Sequence, residues 1–309
     1  METRIPTRDA YGKKLIELGY KIPNLVVLDS DLSNSTRTGY FQREFPDRHF
    51  NMGIAEANMM LFAAGLSLSG KTVFASSFAM FATGRAWEMI RNTIAHDRMN
   101  VKIVASHAGI SVGEDGYSHQ ANEDIAIMRA IPNLEIYCPA DAIETDKIIE
   151  YAATTPKPMY IRLSREAFPV FLDPEKEFVP GKGQVLMEGE KATVIAAGST
   201  VYSALKAGEK LKEQGIDVRV VNMASIKPID RELVLESARK TGKIFTCEEH
   251  SIIGGLGSAV TEALIEEYPV PVFRMGIPDT FGESGKPKEL FKFFNLTTDD
   301  IVEKVKANL

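Results

Sequence analysis

Cysteine is nearly absent: Cys138 and Cys247 are the only two in 309 residues, they lie far apart, and neither belongs to a CxxC pair. That excludes a disulfide framework and a cysteine-based metal site. Each thiol, set in apolar strand-like sequence, reads as a small buried hydrophobe in a reducing compartment. Histidine is scarce as well, with five residues and no cluster at metal-ligand spacing, so no metal site is expected on this chain. An excess of charge of one sign is also missing. The formal net charge is -6, with 36 Lys and Arg scattered among 42 Asp and Glu. No basic stripe is left to track a phosphate backbone, and nucleic acid is not an expected partner. No run approaches the roughly 18 apolar residues of a membrane span. The opening METRIPTRDAYGKK lacks the apolar core of a signal peptide. The expectation is a cytoplasmic chain with no membrane partner.

What is present is a 44% hydrophobic chain long enough for two domains of ordinary size. From Asn24 onward, short apolar runs (24 to 29, 71 to 75, 101 to 106, 134 to 138 and 159 to 163) alternate with longer amphipathic segments near 55 to 69, 79 to 95 and 141 to 153. This is α/β punctuation, which implies a mostly parallel sheet flanked by helices, its strands buried on both faces. EAFPVFLDPEKEFVPGKGQ, rich in Pro and charge, reads as a connector. A second series follows, with strands at 192 to 198, 218 to 223, 243 to 248 and 270 to 276, and helices over 201 to 213, 230 to 240 and 257 to 267. The expected organisation is therefore two α/β domains, 1–180 and 181–309, each a mostly parallel sheet with helices on its faces.

Ligands in such sheets bind outside the carboxyl ends of the strands, and four places there carry chemistry. Asp31 and Leu32 follow the first strand, Glu56 opens a helix in the run GIAEAN, Phe78 and Phe81 follow another strand, and His107 begins the segment HAGISVGEDGYSHQ. The last holds two histidines, two acids and three glycines on the end of a buried strand, where function concentrates. Glu56 admits two readings. A carboxylate in a first helical turn is favoured by the macrodipole, whereas one among Ile54, Ala55, Ala57 and Met59 can share a proton with a basic nitrogen. Phe78 and Phe81, three apart, would by default be core aromatics. Gly254-Gly255-Leu256-Gly257 lacks the GxGxxG spacing and reads as a tight turn rather than a phosphate cradle.

Taken together, Asp31-Leu32, GIAE at Glu56, Phe78 with Phe81, VGEDGYSHQ and LSR ending at Arg165 resemble transketolase, specifically its C-terminal two-thirds, over essentially the whole chain. VGEDGxxHQ is the most specific of these motifs. The resemblance implies a thiamine-diphosphate pyrimidine-binding fold followed by a transketolase C-terminal domain. It implies a transferase that moves a two-carbon ketol unit between a ketose phosphate and an aldose phosphate, as in the pentose phosphate pathway. No GDG motif occurs here. The resemblance therefore implies a split enzyme, in which an N-terminal transketolase subunit carries GDG and holds Mg²⁺ or Ca²⁺ against the diphosphate. The assembly expected is a heterotetramer with two copies of each chain and thiamine diphosphate shared between them.

Residue roles follow from the same resemblance. Glu56 matches the glutamate that hydrogen-bonds the aminopyrimidine and favours the tautomer that removes the C2 proton. Phe78, Phe81, Asp31 and Leu32 match residues lining the cofactor. Arg8, Ser35, His107 and Arg165 fall where the sugar phosphate binds, arginine's planar fork suiting that anion. Asp115 matches an acid that reads a substrate hydroxyl, and His119 a histidine near the reacting carbonyl. Gly84 stands where many relatives have a third aromatic, and Ala108 where an Asp often follows the histidine. Two other enzymes share the cofactor class. They are 1-deoxyxylulose-5-phosphate synthase, which usually has Asp-Arg at the position of His107, and the 2-oxo acid dehydrogenase β subunit, whose loop normally differs from GEDGYSHQ. A noncatalytic scaffolding subunit is the reading from outside enzymology, and intact Glu56, His107, Asp115 and His119 oppose it.

Overall fold

The computed structural model describes residues 3–309. Its strands, in chain order, are β1 (Arg4–Pro6), β2 (Leu25–Asp29), β3 (His49–Asn51), β4 (Thr72–Phe78), β5 (Val101–Ser106), β6 (Glu135–Tyr137), β7 (Met159–Arg162), β8 (Ala167–Pro169), β9 (Gln184–Met187), β10 (Ala192–Ala196), β11 (Val218–Asn222), β12 (Ser225–Lys227), β13 (Ile244–Ser251) and β14 (Val272–Ile277). They form a seven-stranded sheet in the order β12-β6-β7-β5-β4-β2-β3 and a five-stranded sheet in the order β14-β13-β10-β11-β9. β1 pairs antiparallel with β8.

Both large sheets are parallel except at one edge, where β12 runs antiparallel to β6 and β9 antiparallel to β11. The parallel interior follows from composition. LVVLD of β2, TVFASSF of β4 and VKIVAS of β5 are buried along their whole length, as strands covered by helices on both faces must be. The antiparallel edges escape sequence reading because they are short. β12 is three residues long, and although it comes after β9 it adds to the first sheet, pairing Ser225 with Tyr137. The stretch read as a connector is irregular apart from β8. Near its middle, Phe171 and Leu172 donate their N–H groups to Asp141, both at 2.9 Å.

Helix Glu56–Leu68 packs Met59, Met60, Ala63 and Ala64 on the first core. Residues 79 to 95 do not form one regular helix. They run in wide, π-type turns at Met80–Arg85 and Ile90–Ala95, separated by a short α turn, a geometry frequent near functional sites. The chain ahead of Asn24 holds a helix, Thr7–Lys21, that brings Arg8 to the strand ends.

Buried polar groups join the sheets. Arg162 at the end of β7 donates to Asp124 at 2.8 Å and to the Glu249 carbonyl of β13 at 2.8 Å. Asn222 of β11 donates to Glu144 at 2.8 Å. Cys138 and Cys247 are free and buried, and burial pushes both thiols up to about 12.

Candidate active site

Glu56 is the first residue of its helix and only 3% exposed. Ser77, near the end of β4, donates to one carboxylate oxygen at 3.4 Å, and Arg85 donates to the other at 3.3 Å. Both contacts are at the long end of hydrogen bonding, so a better-aligned donor can displace them. Arg85 is 55% exposed and lies 4.4 Å from the Phe81 ring centroid. Phe78 and Phe81 are stacked, with centroids 6.0 Å apart and planes at 20°. His119 stands edge-on to Phe81 at 5.4 Å. The two phenylalanines thus pack against the groups around Glu56, Phe81 on Arg85 and both on His119.

A second group lies alongside. A cavity of about 330 Å³ is lined by Arg8, Asn34, Ser35, Arg37, Phe78, His107, Asp115 and Arg165. Arg8 donates to the Ser35 carbonyl at 2.9 Å and to His107 Nε2 at 3.2 Å. A guanidinium cannot accept, so Nε2 must be the unprotonated nitrogen. The proton then sits on Nδ1 and is donated to Ser106 Oγ at 2.9 Å. Burial first, then the charges of Arg8 and Arg165, push the His107 pKa down to about 3. Arg165 donates to the Val112 carbonyl at 2.7 Å and to Asp115 at 3.1 Å. The Arg8 pKa is itself lowered, by burial and then by Arg37. Cations pressed together in this way suit an incoming anion.

The two groups meet at Phe78, whose ring stacks on His107 with centroids 3.8 Å apart. Asp31 and Leu32 lie in an adjoining cavity of about 280 Å³ that shares Asn34 and Ser35 with the first. Asp31 has left-handed backbone (φ 61) and accepts from Asn51 Nδ2 at 3.1 Å. The turn is held by buried Asp29, whose carboxylate accepts the Leu32 N–H and the hydroxyls of Thr36 (2.7 Å) and Thr38 (3.0 Å). His107 is likewise left-handed, at φ 58. Non-glycine residues held there cluster at functional sites. Asp31, Leu32, Phe78, Phe81, Glu56, His107, His119, Arg8, Ser35, Asp115 and Arg165 thus lie in one continuous region.

Sequence reading gave no role to several neighbours: Asn34, Arg37, Ser77 and Arg85. Arg37 had a signal, an arginine two residues past Ser35 in the same polar loop. Arg85 had none, since only the wide turn after Ala79 brings it onto Glu56. At the Gly254–Gly257 turn, the backbone N–H groups of Leu256 (2.6 Å) and Gly257 (2.8 Å) are taken by Glu248. The chain's own carboxylate thus occupies the place a phosphate would take.

The family named "Transketolase, pyrimidine binding domain" matches residues 3–170, and "Transketolase, C-terminal domain" matches residues 181–301. The chain belongs to the transketolase family. It is 52% identical over 301 residues to a putative transketolase C-terminal section of Methanocaldococcus jannaschii, covering 96% of this chain and 94% of that one. It is 41% identical to the transketolase of Mus musculus over 98% of this chain and 49% of that protein. The chain therefore spans about half the length of the full transketolases it matches. Among solved structures, a split gene transketolase in an inactive β4 tetramer superposes with a TM-score of 0.91 at 54% identity, covering 98% of each chain. In length and domain content this transketolase chain corresponds to the C-terminal section of a split enzyme. Among its described residues no group of three or more His, Cys, Asp or Glu could hold a metal ion, and no helix is long and apolar enough to cross a membrane.

Proposed function

We propose that the chain is the C-terminal subunit of a split transketolase, active with a separate diphosphate-binding chain, and that it transfers a two-carbon ketol unit between a ketose phosphate and an aldose phosphate. The observation that carries this reading is the junction at Phe78. A buried carboxylate with two stacked aromatics abuts, through Phe78 and His107, a cavity lined by three arginines.

The residues present fit the pyrimidine end of thiamine diphosphate. Glu56 offers a carboxylate whose existing partners are long, and Phe81 keeps part of its ring exposed beside Phe78. When bound, thiamine diphosphate supplies a carbon centre able to hold the electron pair released as the ketose C–C bond breaks. Glu56 would accept a hydrogen bond from the pyrimidine ring, and Asp31 and Leu32 would line its flank. Arg8, Ser35, Arg165 and the neutral His107 would hold the sugar phosphate. Asp115 would read a hydroxyl, and His119 would stand over the reacting carbonyl as a hydrogen-bond or proton-transfer partner. The metal, Mg²⁺ or Ca²⁺, would belong to the GDG motif of the other chain.

A surface beside Glu56 supports a second subunit. Helix Glu56–Leu68 is apolar nearly all round; Leu61, Phe62 and Leu68 on it, and Ile54 (76%) just before it, are exposed. A helix of that composition is normally covered. The similar split transketolase solved as a tetramer of β chains is inactive, which supports the need for a second kind of chain; two copies of each is the assembly expected from the resemblance.

The test is ketol transfer from xylulose 5-phosphate to ribose 5-phosphate with thiamine diphosphate and Mg²⁺. It is run with this chain alone and mixed with a chain carrying the GDG motif. Activity only in the mixture is expected. Activity of the chain alone would overturn the two-subunit reading, and silence in both would overturn ketol transfer and move the assay to pyruvate-based reactions.

A further inference from the structure

The segment bearing Asp115 and His119 leaves β5 at His107 and returns at Ala121. Its base is closed by a parallel bridge between Ala108 and Ala121 and by the Gly109 N–H on the Ala121 carbonyl at 3.0 Å. Within it, the turn Ile110–Asp115 breaks at Gly113, and residues 110 to 113 are buried. It is not a solvated loop, because the second half of the chain lies against it. Gln120 Nε2 donates to the Glu283 carbonyl at 2.8 Å. The Ser251 N–H donates to the Asn122 carbonyl at 2.7 Å. Tyr117 packs on Phe281 with ring centroids 6.0 Å apart.

The tightest of these ties is to Glu249, buried near the end of β13. One carboxylate oxygen accepts the Ser111 N–H at 2.5 Å, and the other accepts the Ser199 hydroxyl. Gly109, at φ +74, passes so close that a Cβ there would collide with the same carboxylate. A carboxylate taken out of water is costly, and both oxygens of this one are spent on the loop and its support rather than exposed to the cavity.

We propose that Glu249 is a positioning residue for the substrate loop: by fixing Ser111 it sets where Asp115 and His119 stand. The C-terminal domain thereby contributes to turnover without supplying a group that touches substrate. This rests on the ketol-transfer reading of the site.

The experiment compares Glu249→Ala and Glu249→Gln in the reconstituted two-subunit enzyme. Glutamine keeps an oxygen for the Ser111 N–H and presents an N–H to Ser199. The alanine variant should lose about tenfold or more in kcat/KM, as expected when a charged acceptor of buried donors is removed. Most of that loss should fall in kcat, with thiamine diphosphate affinity held. Amide exchange of residues 111 to 119 should accelerate. The glutamine variant should recover most of both. If alanine does not assemble, Glu249→Asp, which withdraws the carboxylate by one methylene, takes its place with the same expectation. Wild-type kcat/KM in the alanine or aspartate variant would overturn the proposal. So would a loss that tracks melting temperature and cofactor affinity and is not rescued by glutamine. If the wild-type pair transfers no ketol unit, the ketol-transfer reading fails separately, and the exchange measurement still decides the positioning role: unchanged exchange at 111 to 119 overturns it.

Discussion

Both large sheets end their parallel strands in acids and hydroxyls. In the seven-stranded sheet the strand ends face cavities or Glu56: Asp31 after β2, Phe78 at the end of β4 and His107 after β5 line cavities, and Ser77 donates to Glu56. In the five-stranded sheet they turn inward. Glu248 closes the N-terminus of helix Leu256–Leu264, and Glu249 ties down a loop of the other domain. The same architectural rule, that strand ends gather polar side chains, produces a site in one domain and a buttress in the other. What separates them is whether the chain satisfies those groups itself. Glu56 keeps two long, replaceable partners, whereas Glu248 holds two short backbone bonds.

That contrast predicts opposite consequences for removing a carboxylate. Glu56→Ala should lower turnover of the assembled enzyme by a factor of roughly 10² to 10⁴, the usual span for a group serving proton transfer. Assembly and the melting temperature should hardly change. Wild-type turnover in that variant would break the assignment of the first sheet's edge as the reacting one.

Glu248→Ala should do the reverse, leaving kcat per folded chain near wild type while lowering stability. It orphans two buried N–H donors, each worth about 1–3 kcal/mol, partly offset by removal of a buried carboxyl, so a net loss of about 2 kcal/mol is expected. Burial raises the Glu248 pKa to about 7, above the 4.5 of an unburied glutamate. A carboxyl whose folded pKa is raised contributes most below its unfolded value and loses that contribution as pH rises through the folded one. The destabilisation should therefore be larger at pH 5 than at pH 8, as read from chemical unfolding at the two values. The opposite order would mean that Glu248 acts as an ionised cap.

How much of this was legible beforehand depends on the range of the interaction. The strand at 101 to 106 and the helix at 201 to 213 match the structure residue for residue, because burial on both faces and amphipathic spacing are local patterns. Helix Thr7–Lys21 went unread although Tyr11, Leu15 and Leu18 sit at helical spacing. Gly12 and Gly19 weaken that pattern, and both are there for tertiary reasons. A Cβ at Gly12 would strike Arg37, and one at Gly19 would strike Phe41 and Phe45. The residues singled out by motif lie together in the structure. Those brought in by packing carried no such signal: Arg85 reaches Glu56 through an irregular turn, and Glu249 meets Ser111 across 138 residues of sequence.

Within the first domain, the cavity end can be separated from the Glu56 end. Arg165→Ala should raise KM for phosphorylated sugars about tenfold, consistent with loss of one charge-assisted contact. The structure adds a smaller fall in kcat, because Arg165 also holds the Val112 carbonyl and Asp115. Arg165→Lys should keep part of the charge and lose the fork, so its KM should fall between the two. An unchanged KM in the alanine variant would detach Arg165 from the anion site.

The smallest expected effect is an absence of titration. With its pKa held down to about 3, compared with 6.5 for a free imidazole, His107 should show no titration of its imidazole nitrogen resonances between pH 5 and 9. A histidine with a lowered folded pKa stabilises the fold above 6.5 and loses that contribution as pH falls, because the unfolded chain then binds the extra proton. Two of the causes can be removed singly. Arg165→Ala takes away one repelling charge, and Arg8→Ala takes away a nearer charge together with the donor that keeps Nε2 unprotonated. The His107 pKa should therefore rise in both variants, and further for Arg8. Equal responses would mean that burial alone keeps this imidazole neutral. A wild-type resonance titrating near 6.5 would mean that water, not arginine, faces the ring.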